Sequence, residues 1–157
     1  MIHRVHPNMQ LAVFDSLEDL WDPPAGYWEE HLRELDRHTI ITPSEGSLGV
    51  GAGAPPVRLG DALLLFFHER EATGHYTTRV ALLDRETGFV RSLLPAPIMR
   101  PELSWERVGD VDDVVFVEGA VAQADGSIYL TYGAADRCVG AATVGGADVV
   151  AALEAAA

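Results

Sequence analysis

Five side chains in this sequence are of types that bind polar ligands. His3 and Arg4 are neighbours near the start, and an arginine's planar fork matches a phosphate or a vicinal diol. His68 closes the apolar run Leu64-Leu65-Phe66-Phe67, which places its imidazole at the end of a strand. Asp136 follows Gly133-Ala134-Ala135, whose small side chains let a ligand approach the backbone closely. Tyr76 opens a second apolar stretch and carries a hydroxyl. Each has a plainer reading: surface charge for His3 and Arg4, a satisfied core or rim imidazole for His68, a half-buried strand tyrosine for Tyr76, and a turn-capping carboxylate for Asp136.

Other chemistries find no support in the spacing. His3 and His6 have no further ligands at zinc spacing. Asp110, Asp112 and Asp113 lack the glycine and glutamate of a calcium-binding loop. There is no Gly-x-Ser-x-Gly elbow and no Gly-x-x-x-x-Gly-Lys phosphate loop. Cys138 is the only cysteine and lies beside Arg137, a position that reads as a small buried thiol.

The elements that must position these residues are mostly strands. Gln10 to Phe14 alternates weakly. Tyr27 to Leu35 places Trp28, Leu32 and Leu35 on one face of a short helix, with acids at its first turn where the dipole favours them. Pro23-Pro24 ahead of it marks a loop, and Gly46 to Pro56 holds too much Gly and Pro for a helix interior. Ala62 to His68 follows the turn Gly60-Asp61. Tyr76 to Asp84 and Gly88 to Leu94 form a hairpin across Arg85-Glu86-Thr87. Val114 to Ala120 and Ser127 to Tyr132 form another around Asp125-Gly126, and Cys138 to Val144 adds a third strand. Ala147 to Ala157 reads as a terminal helix with Asp148 as its N-cap. Strands at this spacing suit a sandwich, barrel or propeller, and no internal repeat selects among them.

At 157 residues and 48% hydrophobic content, the chain is one ordinary domain with a real core. Its formal charge is −13, and its 11 basic residues are all arginine. Such a surface repels nucleic acid and anionic membranes. No apolar run approaches the roughly 18–20 residues of a membrane span. The N-terminus has no signal-like apolar core, and one cysteine cannot make an internal disulfide, so a reducing, cytoplasmic setting is expected.

Several segments, taken in order, resemble glycoside hydrolase family 130, which processes β-mannosides. His3-Arg4-Val5-His6-Pro7-Asn8 matches a His-Arg-x-x-Pro-Asn segment, Tyr27-Trp28 a helix start, and Gly51 to Pro56 a Gly-Ala-Gly-Ala-Pro-Pro loop. Phe67-His68-Glu69 stands for a Tyr-His-Gly strand end, and Tyr76 with Ala81 to Asp84 for a tyrosine followed by Ala-Leu-Leu-Asp. Pro101-Glu102, Val114-Val115-Phe116 and Tyr132-Gly133-Ala134-Ala135-Asp136 complete the series.

The resemblance implies an all-β fold, part of a five-bladed β-propeller with a central sugar-binding cavity. It covers residues 1–157 as a single domain matching the family's C-terminal half, with residues 20–56 as a helix-plus-Gly/Pro-loop insertion. Blades of about 40–45 residues give room for about three, not five. It also implies cleavage of a β-mannosidic bond with inversion, by phosphate in phosphorylases or water in hydrolases, with one aspartate as general acid. That aspartate belongs to a Glu-Asp-Pro-Arg-like motif absent from this sequence. The chain is therefore expected to be a truncated or split form, inactive alone. His3, Arg4, His68, Tyr76 and Asp136 would bind sugar or phosphate.

Departures weaken a phosphate site. Gly49 stands where the family often has lysine, Phe67 replaces the tyrosine before His68, and Glu69 and Glu118 replace small or neutral residues. Either glutamate is a candidate base for water. No cofactor is expected beyond inorganic phosphate as co-substrate. The expected partners are a β-mannoside or related oligosaccharide, and a complementary N-terminal half or further copies of the chain. The competing reading is a non-catalytic carbohydrate-binding or assembly module.

Overall fold

The computed structural model describes residues 1–157 and arranges them as three antiparallel sheets with short helices. The first sheet is β1 (Ile2–Val5), β2 (Asn8–Leu11) and β3 (Thr39–Ile41), in that order. Between β2 and β3 run α1 (Leu17–Trp21), α2 (Tyr27–Arg33) and α3 (Leu35–His38). The second sheet takes β4 (Gly49–Ala52), β6 (Ala62–Arg70), β7 (Tyr76–Leu83) and β8 (Val90–Leu93), with β5 (Val57–Leu59) further along the β6 edge that β4 also pairs. After α4 (Ser104–Arg107), the third sheet is β9 (Val115–Ala122), β10 (Ser127–Ala134) and β11 (Cys138–Gly145), followed by α5 (Gly146–Ala155). Three stacked sheets fit three consecutive blades of a partial propeller, as expected.

Strand alternation explains the stacking. Leu64 and Phe66 of β6, with Val80 and Leu82 of β7, join a 14-residue core shared with Val115, Val117, Ile128 and Leu130 of the third sheet. Leu65 and Phe67, with Ala81 and Leu83, join a 9-residue core with Met9, Leu11 and Ile41 of the first. The middle sheet is thus buried on both faces, which is why its strands read as continuous apolar runs. Each fully buried Leu or Phe stabilises by about 1.5–3 kcal/mol.

One buried ion pair braces the middle sheet. Arg79 of β7 donates to Glu69 and to the Ser44 hydroxyl, and also to the carbonyls of Leu94 at 2.7 Å and Pro95 at 2.8 Å. Glu69 in turn accepts from the Ser44 N–H. Burial alone would raise the Glu69 carboxyl, but the Ser44 N–H and the Arg79 guanidinium hold it below its usual value.

Five expectations change. The strand expected at Gln10 to Phe14 lies at Asn8–Leu11, as β2, and pairs with β1 across His6-Pro7. The Gly/Pro-rich stretch contains a strand, β4, because glycines let it lie tight against its neighbours. On α2 the buried residue is His31, whereas Leu32 is exposed; the inward face is Tyr27, Trp28 and His31. Gly145 caps α5, and Asp148 lies inside the first turn with its carboxylate close over Gly145. The Cys138 thiol, expected to be buried, is exposed; residues 20–56 carry β3, which pairs with β2, and β4, which pairs with β6.

Candidate functional site

The leading strands β1, β4 and β9 converge on a cavity of about 530 Å³. His3, Arg4, His68, Tyr76 and Asp136 all line it, together with Gly51, Ala52, Val111, Val114 and Phe116. Five side chains separated by up to 133 positions in sequence therefore meet at one place.

His68 lies against the floor. Its ring packs on Phe116 at 3.8 Å between centroids and faces Tyr76 at 5.9 Å. The strand beneath it must be glycine: a Cβ on Gly51 would run into the His68 imidazole and come within 3.4 Å of Arg4 Nη1. Burial, and then the Arg4 charge, push the His68 imidazole down to about 4. It is therefore neutral at pH 7, with its Nδ1 buried and unpartnered. A neutral imidazole presents either a donor or an acceptor to a ligand, according to its tautomer.

Tyr76 is half-buried, with the Arg70 guanidinium 5.7 Å above its ring. Its own N–H donates to the Asp113 carbonyl at 3.0 Å, which ties the start of β7 to the loop before β9. Nearby, the Thr78 hydroxyl donates to the Val115 carbonyl at 3.2 Å, so the second and third sheets are pinned together where the cavity opens.

Asp136 reaches the cavity from an unusual backbone. Ala135 and Asp136 have φ of 48° and 54°, the left-handed region, which costs non-glycine residues about 1–3 kcal/mol each. The strain is held by three hydrogen bonds: Ala135 N–H to Val114 O at 3.1 Å, and Asp110 and Val111 N–H to Ala135 O at 2.9 and 3.2 Å. Without that clasp the turn after β10 would relax and carry the carboxylate away from the cavity.

The two glutamates named as bases lie elsewhere. Glu69 follows His68 and so points to the opposite face of β6, into the ion pair with Arg79. Glu118 is exposed, and neither lines the cavity. Phe116 and Gly51 went unnamed in the sequence as site residues. Phe116 is hidden within an apolar run, and only the strand pairing of Gly51 with His68 reveals its role. Arg4 is the one basic side chain among the lining residues besides the two histidines.

Comparison with known proteins places this geometry in a family. Residues 1–155 match the family model described as beta-1,4-mannooligosaccharide phosphorylase, family 130 of the glycoside hydrolases. A 1,2-beta-oligomannan phosphorylase of Thermoanaerobacter sp. (strain X514) is 32% identical over 150 residues, covering 95% of this chain and 47% of that protein. A beta-1,4-mannooligosaccharide phosphorylase of Ruminococcus albus is 32% identical over 135 residues, covering 82% of this chain and 38% of the relative. The solved structure of a beta-1,2-mannobiose phosphorylase from Listeria innocua, in complex with beta-1,2-mannobiose, superposes with a TM-score of 0.70 at 25% identity. It covers 75% of this chain and 34% of that one. The chain thus spans less than half the length of these relatives.

Proposed function

The chain belongs to glycoside hydrolase family 130, the β-mannoside phosphorylase family, and from that premise we propose that it forms the binding side of a β-mannoside-processing site. The bond-cleaving acid comes from outside these 157 residues. The observation that carries this reading is the meeting of His3, Arg4, His68, Tyr76 and Asp136 in one cavity, in a chain without a Glu-Asp-Pro-Arg-like motif.

Each residue has a task that follows from its chemistry. Asp136, exposed at the rim, accepts hydrogen bonds from two sugar hydroxyls, which fixes the ring's orientation. Neutral His68 donates or accepts one hydrogen bond from a floor of aromatic carbon, and because it is uncharged it neither repels nor neutralises Asp136. The guanidinium of Arg4 offers a bidentate fork to an anion or a diol. Phe116 and Tyr76 give the apolar face of a sugar a surface to lie on. Inverting displacement needs an acid on one side of the bond and room for the nucleophile on the other. Here the chain provides the grip, and inorganic phosphate or water is the nucleophile.

The electrostatics favour water over phosphate. With Gly49 in place of a lysine, Arg4 stands as the one guanidinium against the cavity of a −13 chain. A second reading, a carbohydrate-binding or assembly module, gains support from the same missing acid motif. A cytoplasmic setting accords with the unpaired Cys138 and with the lack of any helix long and apolar enough to cross a membrane.

Ligand-dependent melting tests the site directly. Mannobiose is expected to raise the melting temperature, since a ligand that binds only the folded state stabilises it by mass action. Asp136→Ala and His68→Ala should remove that shift. A shift that survives both substitutions would place the sugar elsewhere. Inorganic phosphate in the parallel series separates the nucleophiles: little or no shift is expected.

A further inference from the structure

β1 brings His3 to the cavity wall with one ring nitrogen already engaged. His31 Nε2, on α2, lies 2.8 Å from His3 Nε2. Two imidazole nitrogens at that distance hold one proton between them, because two facing N–H groups would clash and two lone pairs would repel. The His31 ring has little freedom to escape the arrangement. It is buried, stacks on His38 of α3 at 4.1 Å and 24°, and meets Trp28 edge-on at 5.4 Å. Trp28 meets His3 in the same way, at 5.8 Å.

We propose that His31 is a positioning residue for the cavity: through the proton it shares with His3 it sets which nitrogen of His3 is protonated, and it makes the two rings take up charge as one unit. When His31 donates from Nε2, His3 carries its own proton on Nδ1, and that Nδ1–H is the donor available to a ligand oxygen. When His3 donates instead, its Nδ1 is an acceptor. One added proton keeps the bridge and fixes Nδ1 of both rings as donors. A second added proton puts two N–H groups face to face and breaks it.

The surroundings oppose that second charge. The Met1 ammonium heads β1, Arg4 is the next residue along, and His38 covers His31 from α3. Negative charge comes from Asp136, which lines the cavity with His3 and Arg4, and from Glu30 and Glu34 of α2, in the hollow of about 230 Å³ that they share with His31 and His38. Burial first, and then the Met1 ammonium and His38, hold His3 below the usual imidazole value; burial, His38 and His3 do the same for His31. The coupling holds whatever ligand the cavity takes, and its test needs no turnover.

Two-bond nitrogen–proton correlation NMR on the whole protein reads both the tautomer of each ring and its titration. In the unsubstituted protein His3 and His31 should show complementary tautomers at neutral pH, and each should follow a two-step curve as pH falls. His31→Leu should collapse His3 to a single step and abolish its tautomer bias. His31→Gln, whose amide can again face His3 Nε2, should restore the bias but not the second step. The same tautomer on both rings, or independent one-step curves in the unsubstituted protein, would overturn the proposal. These two observations need no variant, so the idea can fail even where a substitution unfolds the chain.

Discussion

At the residue scale, His68 makes the sharpest prediction. Its folded value of about 4 lies below the ordinary 6.5. Between those two values the unfolded chain binds a proton that the folded chain refuses, so stability falls as pH drops through that window. The loss attributable to this one ring is about 2–3 kcal/mol by pH 4.5. Urea unfolding at pH 7 and pH 4.5, compared between the unsubstituted protein and His68→Phe, measures it; the variant should lose correspondingly less. Gly51→Ala should displace the His68 ring and cost about 1–3 kcal/mol by overpacking, and it should weaken sugar binding. His3, Arg4, His68, Tyr76 and Asp136 were all legible in the sequence, through the motifs that carry them. Gly51, Phe116 and His31 were not. Their parts depend on which residue lies across a strand pair or beneath a helix, and no local pattern encodes that.

At the element scale, the middle sheet holds the molecule together. Arg79→Ala leaves Glu69 a buried carboxylate without its cation, and should cost about 3–5 kcal/mol. Changing both to a well-packed apolar pair should recover much of the loss, and a double-mutant cycle by chemical denaturation checks it. Phe66→Ala should cost a similar amount, about 3–5 kcal/mol, because its fully buried ring sits between the second and third sheets. The long strands of the middle sheet were legible because two-sided burial writes itself as unbroken Val, Leu and Phe, and the β9–β10 hairpin was legible from its Asp125-Gly126 turn. β1 and β4 were not, since four residues each give too short a window for periodicity and β4 is half glycine. The helical face of α2 misled for a related reason. Spacing favoured Trp28, Leu32 and Leu35, but aromatic packing against β1 turned His31 inward beside Trp28 and left Leu32 exposed.

At the scale of the whole molecule, the far face of the third sheet stays open. Val121, Tyr129 and Val139 are 58%, 43% and 82% exposed, and Glu118 is the single charged side chain on β9, β10 and β11. The opposite end differs, because α2 and α3 pack over the first sheet through His3, Trp28 and His31. So open and partly apolar a sheet face, on a −13 chain, is suited to packing against a further sheet. The partial propeller was inferable from the sequence only through the family resemblance, since no repeat marks the blades. The account stands or falls on β-mannoside cleavage by the purified 157-residue protein, assayed alone and after mixing with a propeller half that carries the Glu-Asp-Pro-Arg-like motif. It predicts no turnover alone, and turnover on mixing that Asp136→Ala abolishes. Robust cleavage by the unaided chain would contradict it.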